Sequence, residues 1–149
     1  MEDITLKPIQ LNDIYLLDES EYANLDDNKR AELVNCSEKE LLNGKYFKFF
    51  LINNCEEKIV GLLNVYEHEG KKISVAPEIF NSYKNNGYAY KSLLEVYRLL
   101  KEKGYKTLIA DISENNIVSL NLHKKLDFKV VKRYINKQGR VMYYLEKEL

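Results

Sequence analysis

The sequence predicts a mixed α/β fold, a central sheet of antiparallel and parallel strands with helices on both faces. Three observations carry that prediction. Three β-type segments follow one another between residues 45 and 76 with short links. A clean helical stripe between residues 89 and 100 then stands between two strands. Two further β-type segments close the chain as a hairpin. Short links make an antiparallel meander, and a strand–helix–strand crossover must run parallel.

Each element has its own justification. "ITLKPI", residues 4 to 9, reads as a short strand, with Pro8 tolerable only near an edge or end. Residues 11 to 42 carry irregular helical patterning with many acids, read as two short helices. "SEKE" there has capping-box spacing, Ser37 to Glu40. "KYFKFFLI" is rich in β-formers, and Asn53-Asn54 begins a turn. "KIVGLLNVYEH" is the next strand, where Gly61 signals a bulge or close packing. "EHEGKK" turns the chain into "KISVA", the fourth strand. Ala89, Leu93, Val96, Tyr97 and Leu100 then fall on one helical face. Lys101 and Lys103 suit the last turn, and Gly104 supplies the stop. "YKTLIAD" is a strand. "ENNIVSLNLHKKLDF" is a helix with Val118, Leu122 and Leu126 at i, i+4, i+8. "FKVVKRYI" and "RVMYYLEK" are strands joined by "NKQG".

The 149 residues suit one domain, 1–149, able to bury a core without disulfides or metal. No apolar run approaches the roughly 20 residues of a membrane span, so no membrane partner is expected. The N-terminus opens with acids and does not read as a signal peptide. Cys36 and Cys55 lie far apart with no second pair, which makes a zinc site improbable and a reducing cytoplasmic location the plain expectation. Zero net charge argues against nucleic acid. The charge is divided, however. Residues 1 to 75 carry 15 acids and 9 bases, and residues 76 to 149 carry 8 acids and 14 bases. Either the basic half meets an anion and the acidic half a cation, or surface charge is unevenly spread by chance.

The entrance to the long helix, "KNNGYA", carries the chemistry. The first N–H groups of a helix lack intrahelical acceptors, and the helix dipole adds partial positive charge there. Gly87 lets a ligand approach the backbone closely. Acids are absent from residues 79 to 94, while Lys84 and Lys91 add positive charge. Such a turn suits a phosphate. It is neither a Walker loop nor a dinucleotide fingerprint, because Gly-Lys-Ser/Thr and the further glycines are missing. A plain Asn-Asn-Gly turn is the other reading of these residues.

The element order, with Lys84-x-x-Gly87-x-Ala89, resembles the GNAT N-acetyltransferase superfamily. The family's Arg/Gln-x-x-Gly-x-Gly/Ala signature cradles the acetyl-CoA pyrophosphate. Downstream, Asn116, Ser119, Leu122, Lys125 and Phe128 match a second family motif. The resemblance implies an enzyme that moves an acetyl group from acetyl-CoA to a primary amine of a small molecule or peptide, without a metal. It implies that Lys84, Asn85, Asn86, Gly87, Tyr88 and Ala89 hold the phosphates. It further implies that the fourth and fifth strands splay apart, so that backbone groups around Val75 bond the pantetheine arm with Asn116 and Ser119 nearby. His123 stands where the family has a tyrosine proposed as general acid, and Glu78, Glu67 and Glu69 are candidate bases. A homodimer is compatible with the resemblance. Three further departures are Lys84 for the usual Arg or Gln, an apparent insertion at Ile79–Ser82, and Asp127 for glycine. A CoA-binding regulatory module without efficient turnover is the alternative class of function.

Overall fold

A computed structural model describes residues 3–149. In chain order come β1 (Thr5–Pro8), a 3-10 segment (Leu11–Glu19), α1 (Asp27–Lys39), β2 (Phe47–Asn53), β3 (Ile59–Glu67) and β4 (Ile73–Ile79). These are followed by α2 (Tyr88–Glu102), β5 (Thr107–Ser113), α3 (Ile117–Lys125), β6 (Lys129–Ile135) and β7 (Val141–Glu148). One sheet holds all seven strands in the order β1-β2-β3-β4-β5-β7-β6. Every neighbouring pair is antiparallel except β4 with β5.

Strand alternation builds two cores. Phe50, Ile52, Leu63 and Val65 pack with Leu93, Val96 and Leu100 of α2. Their sequence neighbours Phe49, Leu51 and Leu62 point the other way, toward Leu17 and Val34. Helical segments therefore cover both faces, and β2 and β3 read as nearly continuous buried runs.

Local details depart from the sequence expectations in four places. Asp26, whose carboxylate accepts the Lys29 N–H at 2.8 Å, caps α1. Ser37 is no cap. It is buried in the last turn, where its hydroxyl accepts the Phe49 N–H at 2.9 Å and ties helix to sheet. The inward face of α3 is Leu120, His123 and Leu126, while Val118 is 81% exposed. Glu78 lies inside β4 instead of past it, so the residues read as an insertion extend the strand to Ile79 and add one 3-10 turn, Asn81–Tyr83.

Gly61 serves both of its expected roles. A Cβ there would meet the Glu78 carbonyl oxygen at 2.4 Å. Beside it the β2–β3 register shifts, with Ile52 opposite Gly61 and Asn53 opposite Ile59. Asp127 adopts the left-handed φ of 68° that its glycine-like position requires.

Candidate active site

β4 and β5 pair at only two positions, Ile73 with Leu108 and Ser74 with Ile109. Beyond Ser74 the two strands diverge. β4 keeps its pairing with β3 through Ile79, so its other edge presents unpaired backbone groups from Val75 onward. Lys72, just before β4, donates to Glu146 of β7 at 2.7 Å and fastens the closed end. The divergence opens a cleft of about 350 Å³ whose lining includes Val75, Ala76, Pro77, Asp111, Ser119 and His123.

The loop before α2 stands beyond the C-terminal end of β4. Asn85 and Gly87 both have left-handed backbones, with φ of 67° and 77°. Alternation of this kind turns successive N–H groups to one side. The Asn86 side chain donates to the carbonyls of Tyr83 (3.0 Å) and Lys84 (3.3 Å), bracing the loop from within. Lys84, Asn85, Asn86 and Gly87 are exposed, and a Cβ at Gly87 would meet nothing within 4 Å. The loop is thus open to solvent above the helix end. Tyr88 is different, because its ring is 5% exposed within the α2 core. The ring is therefore packed in the core and not offered at the loop surface. Ala89 is half-buried in the first turn, and Tyr90 lies under Lys125, with Nζ 4.4 Å from the ring centre.

α3 brings Ser119 and His123 to the cleft, because residues four apart share a helix face. The His123 ring is buried against Phe128, their centres 4.9 Å apart at 70°. Its Nδ1 lies 2.8 Å from the Ser119 carbonyl oxygen. A carbonyl can only accept, so Nδ1 carries the proton and the neutral ring presents a bare Nε2. Burial lowers the imidazole pKa from its ordinary value, and the bond to Ser119 opposes that shift. Asn116 does not line the cleft. Its carboxamide oxygen caps α3 by accepting the Ser119 N–H at 3.1 Å.

Glu78 is also absent from the cleft lining. Its carboxylate accepts the Glu21 backbone N–H at 3.1 and 3.2 Å on the far side of β4. Two groups not singled out in the sequence occupy the region instead. His68 lines the cleft with Nε2 2.7 Å from the Ser74 hydroxyl, at the point where the strands part. Asn64 of β3 donates to the Tyr22 hydroxyl at 2.5 Å. Burial, reinforced by Tyr66, pushes the Tyr22 pKa far above the ordinary tyrosine range. A lone asparagine inside "GLLNVY" was the available signal for Asn64, whereas nothing local marks His68.

The family model for the acetyltransferase (GNAT) domain matches residues 4–129. No curated protein matches the sequence. Among solved structures, a spermidine N-acetyltransferase chimera from Vibrio cholerae SpeG and hSSAT superposes with a TM-score of 0.80 at 12% identity, over 97% of this chain and 95% of that one. An N-acetyltransferase from Staphylococcus aureus Mu50 gives 0.77 at 18% identity, over 98% of both chains. The ribosomal-protein alpha-N-acetyltransferase RimL, in complex with coenzyme A, gives 0.80 at 12% identity, over 99% and 94%. At such identities the likeness is one of fold.

Proposed function

The chain belongs to the GNAT acetyltransferase family, and from that premise we propose that it moves the acetyl group of acetyl-CoA to a primary amine by direct attack on the thioester. The observation that carries the proposal is the β4–β5 divergence, with a braced, glycine-containing helix entrance beyond its open end. A pantetheine arm laid along the free edge of β4 would complete the pairing that β5 abandons. Lys84 and the backbone N–H groups of residues 85 to 89 would hold the pyrophosphate. Ser119 would flank the arm, and Asn116 would act through the helix it caps. The names of the fold neighbours, which include a spermidine and a ribosomal-protein N-acetyltransferase, agree with an amine acceptor.

In this reading the amine nitrogen attacks the thioester carbon, the carbon–sulfur bond breaks, and CoA leaves as the thiolate. The Val75 N–H, which faces away from β3 into the cleft, would stabilise the developing oxyanion. The ammonium proton must leave before attack. His68, hydrogen-bonded to Ser74 where the strands part, is better placed to take it than Glu78, which is held on the other side of β4. A general-acid role for His123 requires the imidazolium, which burial disfavours. The neutral ring instead offers Nε2 as an acceptor. As the carbon–sulfur bond breaks, the amine nitrogen sheds its second proton, which passes through water to the thiolate, a competent leaving group.

Incubation with radiolabelled acetyl-CoA and a panel of small amines and N-terminal peptides tests the proposal. Acetylated amine and one equivalent of free thiol are the expected products. Binding of acetyl-CoA with no acetyl transfer to any acceptor would overturn it.

A further inference from the structure

A second cavity, of about 90 Å³, lies on the β3 side of β4 and shares Ala76 and Pro77 with the cleft. Asn64, Glu78, Glu21 and Tyr22 stand in its wall, and among the described residues no lysine or arginine does. Its polar groups are dominated by acceptors. Two are carboxylates. A third is the Asn64 side-chain oxygen, which is buried without a hydrogen-bond partner while the nitrogen of the same amide is committed to Tyr22. Asn64 is 4% exposed. A buried acceptor left unpaired destabilises the protein unless a ligand brings a donor.

We propose that this cavity receives the second ammonium of an aliphatic diamine acceptor, the first amine being the one acetylated in the cleft. The inference rests on the acetyl-transfer reading above and supplies its substrate class. An ammonium offers three donors and a positive charge, matching two carboxylates and an unpaired amide oxygen. A water molecule occupies about 30 Å³ of liquid, so the cavity admits an ammonium with a methylene or two, and nothing bulky. Adjacent strands lie about 4.8 Å apart. An ammonium beside Asn64 on β3 is therefore about one strand spacing from the open edge of β4, a span of a few methylenes. A carboxylate or phosphate in the same place would face Glu78 and Glu21 with like charge. The role of Glu78 thereby becomes recognition, with its grip on the Glu21 N–H holding the two carboxylates together.

Calorimetric titration tests this without depending on turnover. Diaminobutane and butylamine are titrated into the protein with and without saturating CoA. Diaminobutane should bind at least tenfold more tightly than butylamine. Glu78→Gln and, separately, the exposed Glu21→Gln should each cut that ratio severalfold. A general disturbance of the fold would weaken both ligands alike and leave the ratio unchanged. Equal affinity for the two amines, or a ratio untouched by both substitutions, would overturn the proposal. Loss of CoA binding, or acetyl transfer to no amine, would instead count against the acetyltransferase reading.

Discussion

β5 has two neighbours, and the sheet treats them differently. With β7 it pairs from Thr107–Glu148 to Ser113–Met142 without interruption. With β4 it pairs at Ile73 and Ser74 and then parts. The closed junction satisfies its backbone groups internally and buries Leu145 completely. The open one leaves donors and acceptors for something else to satisfy. One strand thus closes the sheet along one edge and leaves it open along the other. Substitutions at the two junctions should separate accordingly.

The largest effect belongs to the closed side. Leu145→Ala should cost about 2–5 kcal/mol. At about 2–4 °C per kcal/mol for a chain of this size, the midpoint of thermal unfolding should fall well outside error. CoA affinity in the folded fraction should not change. A Leu145→Ala protein that unfolds normally but binds CoA poorly would erase the distinction between the junctions. Gly61→Val comes next. Its side chain would press on the Glu78 carbonyl and push β4 away from β3, at a cost of about 1–3 kcal/mol. Because β4 carries the cleft edge, this variant should lose both stability and CoA affinity, read by thermal unfolding and calorimetry.

At the open end, Gly87→Glu should weaken CoA binding at least tenfold, or about 1.4 kcal/mol. Gly87→Ala is its control. The left-handed φ of 77° makes any side chain strained there, by roughly 1–2 kcal/mol, but the space is open and no charge is added. Equal CoA affinity in the glutamate and alanine variants would remove the phosphate from this loop.

The smallest effect is a pH dependence. His123 is held below its ordinary pKa by burial, so the unfolded chain binds its proton first as the pH falls. Stability should therefore decline as the pH drops below the unfolded value of about 6.5, and level off once the folded ring protonates. His123→Gln should flatten that slope between neutral and mildly acidic pH. An unchanged slope of melting temperature against pH would show that the ring is not held neutral.

What could be read from the sequence follows the range of the interactions. The α2 stripe was legible because helix periodicity is local, and Leu93, Val96, Tyr97 and Leu100 are all buried. The inward face of α3 was not, because its middle residue is a histidine that a hydrophobic pattern does not count. Ser37 looked like a cap because spacing says nothing of Phe49, whose backbone claims its hydroxyl. The Tyr22–Asn64 contact joins residues 42 apart, and the Glu78–Glu21 contact residues 57 apart. No local rule brings those groups together. The splay itself came from family resemblance, since strand composition alone does not say where β4 and β5 stop pairing.

Amide hydrogen exchange, measured with and without acetyl-CoA, tests the central claim most directly. If the arm completes the abandoned pairing, the ligand should slow exchange at the β4 amides of Val75 and Ile79, which point away from β3, Pro77 between them having no N–H. It should also protect the loop amides from Asn85 to Ala89, while β5–β7 pairs such as Ala110–Leu145 stay as they were. Protection that misses β4, or that falls equally on both sides of β5, would contradict the account.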